Sequence, residues 1–513
     1  MNLKKNALST SIAILLIIAL LAACGGNNNN NGNGSNTGNG NASSPGTNAN
    51  NEKKVINLEM VMNTSGATLP DNDFIKTKLK EVLGVNLTIT PESQLMEKLN
   101  VRAAGNNLPD LITFATANDF REYAKRGLLA DLTPYKDKLD KVQDFLGDEG
   151  FTKATVDGKV YGVAKAAPVR AFSYWIRQDW LDHLGLSMPK TLDEFYNVLL
   201  AFTKDDPDGN GKDDTYGLTG TFGGLHAFTP ILATFGAASE YQIRDGELVN
   251  FYEDPQLKES LKYMKKLADA KVLDPELPTN TGQQYFDKVY QGSAGVVFSK
   301  WTEMTKDDKV EAYKTANPNA EWTIIPPFED HVYGAAVDAE NIGGSSGYVA
   351  VSKAAGSNEE KMSRIVDLFN YVSYGEGLNM VQYGLEGVHY TLDGDKVTLT
   401  DKSGEAGFTW IYQLMGRPEK EYLSTKFAKQ AEWIEKTADA PKIPVYDGYL
   451  TRLEGVNYSD KDRFISEELL KFVYGKRDIE EFDQFTQSLK DMFKLDEEVE
   501  QSKQTLKEQG LLK

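Results

Sequence analysis

The stretch VINLEMVMNTSGATLPDNDFIKTKLKEVLGVNLTIT, residues 55–90, decides the fold class. Its first eight residues, VINLEMVM, read as a β-strand, and Phe74, Ile75, Leu79, Val82 and Leu83 then recur at helical spacing. Val85, Leu87 and Ile89 return to strict alternation, the signature of a second strand. Working outward, Thr90 and Pro91 hold the cap and first-turn places of a second helix with Leu95, Leu99 and Ala103 on one face. The run LPDLITF at 108–114 supplies a third strand. Strands and helices alternating at this spacing predict a parallel sheet in an α/β fold, and such sheets bind ligands beyond the carboxyl ends of their strands. Asn63 to Gly66 and Ala115 to Asn118 are therefore candidate cleft loops.

The same reading continues downstream. Asp157-Gly158, between the apolar runs of VDGKVYGVA, predicts a hairpin turn. Thr191 and Glu194 have the spacing of a capping box ahead of Leu192, Phe195, Leu199 and Phe202. After the strand YVAVS, Ser357 and Glu360 are expected to cap a helix bearing Met362, Ile365, Val366 and Phe369. From Gly404 onward the chain reads as helical, with Phe482, Phe485 and Leu489 behind a cap at Asp478.

At 513 residues the chain exceeds what one core usually serves, so two lobes or more are expected. A net charge of −19 argues against nucleic acid, whose binding draws on basic surfaces. The lone cysteine, Cys24, rules out an intramolecular disulfide and any cysteine-based metal site. It follows Lys4, Lys5 and an apolar run from Ile12 to Ala23, which make residues 1–23 a signal peptide. The sequence LAAC, Leu21 to Cys24, looks like a bacterial lipobox, so Cys24 is the expected site of lipidation by fatty acyl chains. Residues 24–52 follow as a lipidated cysteine and an Asn/Gly-rich tether without apolar period, a coil reaching roughly 30 Å.

An acidic loop, DDPDGNGKDDTYG, spans Asp205 to Gly217. Oxygens recur at every second residue, from the side chains of Asp206, Asp208, Asn210 and Asp214 and the carbonyl of Lys212. Calcium wants six to eight hard oxygens in a small shell, and an EF-hand loop spaces them in this way with glycine at the sixth position, here Gly211. At the twelfth position, where a bidentate Glu is expected, stands Gly217, so the remaining ligands come from elsewhere. The competing interpretation is a solvated Asp/Asn/Gly turn.

Taken in order, LPDLITF, the DGKVYGVA turn, WIRQDWLDHLGLSMPKTLDEF at 175–195, DPDGNGKDDTYGL at 206–218, GSAGVVFSKW at 292–301 and YGLEGVHY at 383–390 resemble the extracellular solute-binding proteins of ABC sugar importers. The likeness is strongest to a Gram-positive lipoprotein branch related to alginate-oligosaccharide binders. It implies a two-lobed periplasmic-binding-protein-like fold with hinge crossovers and a helical C-terminal region. The expected lobes are 53–168 with 344–390, and 169–343 with 391–513, joined near Pro168 and near Gly343 to Gly347. The resemblance further implies a monomeric, non-enzymatic receptor on the extracellular face of the cell membrane, anchored in the lipid bilayer through acylated Cys24. It would hold a carbohydrate, an oligosaccharide, by hinge closure, deliver it to ABC permease subunits, and carry Ca²⁺ as a structural ion. Planar polar and aromatic side chains suit a sugar, which nominates Trp301 first, then Trp175, Tyr174, Tyr383, Glu386, Trp410 and Asn63. A secreted calcium-dependent polysaccharide-degrading enzyme is the alternative, and a surface adhesin a weaker one. The four histidines, His183, His226, His331 and His389, form no HExxH motif, and no phosphate-binding P-loop is present.

Overall fold

The computed structural model describes residues 54–513 except Ser239 and Thr451. The signal peptide, Cys24 and the tether lie outside the described residues. From the start of the body, β1 (Ile56–Met62), the helix Phe74–Leu83, β2 (Val85–Pro91), the helix Leu95–Ala104 and β3 (Leu111–Phe114) follow in the expected alternation. The hairpin β4 (Thr155–Val156) and β5 (Lys159–Val160) turns on Asp157 and Gly158, both at positive φ (49° and 75°), as a two-residue turn between twisted strands requires. Next comes β6 (Gly162–Ala164), and the chain then leaves this sheet.

Residues 165–171 lead to β7 (Phe172–Arg177), followed by β8 (Tyr216–Thr219), the hairpin β9 (Tyr241–Arg244) and β10 (Glu247–Asn250), β11 (Ala294–Lys300), β12 (Trp322–Ile324) and β13 (Asp338–Asn341). Residues 342–347 return the chain to β14 (Tyr348–Val351). Later come a hairpin of β15 (Tyr390–Asp393) and β16 (Lys396–Leu399), then β17 (Lys442–Val445), which pairs in parallel with β13. The first sheet has the order β2-β1-β3-β14-β6, with β1, β2 and β3 parallel and β14 antiparallel to β3 and β6. The second has the order β12-β7-β11-β8.

Each sheet is buried on both faces, so the fold is two-lobed α/β. Along β1, Leu58, Met60 and Met62 enter one core and Val61 the other. In β7, Tyr174 and Ile176 face one core and Trp175 its opposite. Those alternations are what the period-two pattern encodes. The second lobe also encloses an ion pair between Lys461 and Glu498 (2.6 Å), both nearly inaccessible, across the helices Tyr458–Val473 and Leu495–Glu508.

Several local expectations are corrected. Thr90 and Pro91 end β2 rather than start a helix: Pro91 stands opposite Met62 on the sheet's edge strand, where its missing N–H breaks no ladder. The helix begins at Leu95 with no side-chain cap bond. Asn358, not Ser357, caps the helix Glu359–Tyr371, accepting from the Lys361 N–H (3.1 Å). Thr191 does cap its helix, but the Glu194 carboxylate takes the N–H of Lys190 instead of closing the box. The segment after Gly404 contains β17 as well as helices, and Ile411, Tyr412, Leu414 and Met415 pack into the first lobe's core, so the second lobe does not own all of 391–513. Their apolar side chains complete the face covered by the helix Glu359–Tyr371.

Candidate functional site

The acidic loop joins the helix Leu192–Lys204 to β8. The Thr215 hydroxyl donates to the Phe202 carbonyl (2.8 Å) and the Gly217 N–H to the Thr203 hydroxyl (3.0 Å), so the two ends of the loop are tied. Gly217 lies so close to Leu199 that a Cβ would sit 2.8 Å from its atoms, which explains glycine where an EF-hand carries Glu. Inside the loop Asp206 accepts from the N–H groups of Asn210 (3.1 Å) and Gly211 (2.9 Å). The Asn210 amide donates to Asp208 (2.7 Å) and Asp214 (3.2 Å). Burial, with Asp206 and Asp214 close by, raises the Asp208 carboxyl above its ordinary value. The donor set, all oxygens, fits a hard cation: Asp208 and Asp214 gather around the Asn210 side-chain amide while Asp206 takes the backbone N–H groups of Asn210 and Gly211. Among the described residues no three His, Cys, Asp or Glu side chains already stand in a metal-holding cluster.

The carboxyl ends of the strands and the two crossovers frame the candidate ligand site. Asn63 is exposed at the end of β1, its side-chain oxygen accepting from the Ser65 N–H (2.8 Å). Trp410 is half-buried against the first core, and Glu386 is exposed. The remaining aromatic candidates are covered. Trp301 opens the helix after β11 but is 2% exposed, with the Phe427 ring edge-on at 5.2 Å. Tyr383, 8% exposed, stacks on Tyr422 at 5.7 Å. Tyr174 and Trp175 are interior, the first donating to the Ala227 carbonyl (2.7 Å) and the second to that of Ser299 (3.1 Å). What covers Trp301, Tyr383 and Trp175 is one region: Tyr422 and Phe427, together with Trp433 at 5.2 Å from Trp175, come from the helices Glu419–Lys426 and Ala431–Ala438 and the turn between them.

Sequence reasoning missed a polar and aromatic group at the first crossover. Phe172, half-buried at the start of β7, has the Arg170 guanidinium at 5.1 Å and the Lys300 ammonium at 5.2 Å over its ring. His226 stands edge-on to it at 5.7 Å. Burial holds the His226 imidazole below its ordinary value, with Asp338 opposing and Arg170 and Lys300 reinforcing. Arg170 also forms a two-bond ion pair with Asp338 of β13 (2.8 and 3.1 Å), linking the segments at the two crossovers. Lys165, at the other end of the first crossover, is only partly exposed, and burial with Arg417 nearby pushes its ammonium down to about 8. The signal available in sequence was the pair of cations bracketing the short apolar crossover AAPV.

Residues 72–373, more than half the chain, match the family described as bacterial extracellular solute-binding protein. The chain belongs to that family. Its members are binding proteins rather than enzymes. As a solute-binding protein it is 29% identical over 353 residues to the polygalacturonan/rhamnogalacturonan-binding protein YtcQ of Bacillus subtilis, covering 66% of this chain and 67% of that one. It is 27% identical over 424 residues to the lipoprotein LipO of the same organism, covering 78% and 82%. Its fold matches the Streptococcus pneumoniae substrate-binding protein FusA, solved as an EF-hand mutant in complex with fructo-nystose, with a TM-score of 0.65 at 19% identity over 89% of this chain and 100% of that one. Among the described residues no helix is long and apolar enough to cross a membrane.

Proposed function

We propose that this solute-binding protein captures an oligosaccharide between its lobes and delivers it to the permease of an ABC importer, held at the outer face of the cell membrane by acylated Cys24. The observation that carries the reading is the pair of crossovers at 165–171 and 342–347, which put an aromatic ring, cations and strand-end loops beside the segments that must bend when such lobes close. Asn63, Glu386, Trp410 and Phe172 are the proposed sugar contacts. Trp301 and Tyr383 back the site through Phe427 and Tyr422, whereas Tyr174 and Trp175 belong to the core. Asp206, Asp208, Asn210, Asp214 and the Lys212 carbonyl are the proposed ligands of a structural Ca²⁺, and the EF-hand named for FusA supports that reading. The lipoprotein name of LipO supports the anchor, which labelling with radioactive palmitate tests; an unlabelled Cys24 would sink it.

The function is tested by thermal shift against a panel of oligosaccharides, followed by chromatography of each hit. Stabilisation without shortening of the glycan is expected. Cleavage of a hit, or no shift with any glycan, overturns the reading.

A further inference from the structure

A cavity of about 400 Å³, within the size range of small-molecule sites, lies beside the second crossover. Asp338 and Asn341 of β13, the strand that runs into that crossover, border it, and Leu232, Ile465 and Leu469 give it an aliphatic wall. Two further carboxylates line the same space. Asp447 takes the Tyr241 N–H (3.0 Å), whereas among the described residues the Glu240 carboxylate has neither a hydrogen bond nor an ion pair. The neighbouring cations are matched elsewhere, Arg170 by Asp338 (2.8 Å) and Lys461 by Glu498 (2.6 Å). A second polar group on the cavity also lacks a partner. Tyr252 is 8% exposed; its N–H donates to Asn250 and its carbonyl accepts from Thr486, but among the described residues its hydroxyl bonds to nothing. Burial, with Glu240, Asp462 and Asp447 acting on it, holds that phenol well above its ordinary value, which puts the hydroxyl on the acidic side of the cavity. An unpaired carboxylate beside an aliphatic wall and an unpaired hydroxyl in the interior each cost stability, and the two facing one cavity point to an occupant.

We propose that this cavity binds a small alkylammonium ion, its nitrogen donating to Glu240 and to the Tyr252 hydroxyl and its carbon body lying against Leu232, Ile465 and Leu469. An ammonium supplies donors for both unpaired groups and the positive charge that Glu240 lacks. A bare metal ion would need more hard oxygens and leave the aliphatic wall unused, and among the described residues no three acidic or histidine side chains form a metal-holding group. A neutral sugar would press its hydroxyls on a wall that has no polar partners for them. The site goes beyond saccharide capture and is independent of it. Occupation also acts on the Glu240 proton. Burial raises this carboxyl to about 7, with Lys461 opposing and Asp447, Glu498 and Asp462 adding to the rise, while the paired Arg170 and Asp338 on the border bring no net charge. A cation alongside favours the ionised form, so binding near pH 7 expels a proton.

The test is calorimetric titration of the full chain with butylamine and putrescine, and with 1-butanol and 1,4-butanediol as their uncharged counterparts. One equivalent of amine should bind, at least about tenfold more tightly than the matching alcohol, an increment typical of one charge-assisted contact. Affinity should fall by up to about tenfold per pH unit below 7 as Glu240 takes up its proton, and the heat at pH 7 should vary with the buffer that accepts the released proton. Glu240→Gln, which keeps the shape of the side chain, should remove about tenfold in affinity and abolish both the pH dependence and the proton release. Tyr252→Phe should weaken binding by roughly threefold to tenfold and leave the pH dependence in place, so the two variants and the unaltered chain give separate readouts even where one variant fails to fold. Alcohol binding as well as amine, no binding of either amine, or no proton release overturns the site. Amine binding that persists unchanged in Glu240→Gln is attraction to the net charge of −19 and overturns it too.

Discussion

Burial, with Arg417 beside it, pushes the Lys165 ammonium down to about 8. Glu240 behaves in the opposite sense. It borders a cavity of about 400 Å³ with Asp447, Leu232 and Ile465. Burial raises its carboxyl to about 7, with Asp447, Glu498 and Asp462 adding to the rise and Lys461 opposing it. A carboxyl raised on folding contributes stability below its unfolded value near 4.5 and loses it as pH climbs through 7. Glu240→Gln should therefore stabilise the protein by roughly 2–3 kcal/mol at pH 8 and little at pH 4.5, as read from urea unfolding at the two pH values. Neither residue was legible in the sequence. Their chemistry depends on Arg417 and Asp447, hundreds of positions away, whereas the strand of Leu58, Met60 and Met62 is legible from the local alternation that a sheet imposes.

Among the elements, the helix Pro255–Asp269 depends on its first residue's predecessor. Asp254, almost wholly buried, accepts the Gln256 N–H (3.0 Å) and pairs with Arg244 at 2.8 Å. Asp254→Ala removes the cap and strands a guanidinium, and should cost about 3–5 kcal/mol in chemical denaturation. The acidic loop was readable because its ligands fall within nine residues. If calcium binds there, adding it at one to ten times its dissociation constant should stabilise the protein by about 0.4 to 1.4 kcal/mol, a gain that chelator removes and Asp208→Ala abolishes; an unchanged melting temperature excludes the site. The aromatic candidates were less readable for a definite reason. Trp301 follows an apolar strand just as a sugar platform would, and Phe427, from a region far downstream in the chain, lies edge-on against it inside a buried cluster.

At the scale of the whole molecule, the second crossover meets the segment after β17 with almost no room. A Cβ on Gly448 would lie 2.3 Å from the Gly343 carbonyl oxygen, and one on Gly343 would lie 2.6 Å from the Tyr449 nitrogen. Gly448→Val should therefore destabilise the protein by more than about 2 kcal/mol, measured by thermal unfolding, through steric displacement at the junction rather than loss of any sugar contact. The first sheet has a further consequence. β6 joins it only through β14, and β14 lies between β3 and β6 although its residues follow the whole second sheet in the chain. A nascent polypeptide emerging from the ribosome thus holds β3 and β6 as open, unpaired edges until residue 351 is available. The first lobe cannot finish before most of the second has been synthesised, so this receptor matures as one late event and its half-made chains are the form most in need of a chaperone.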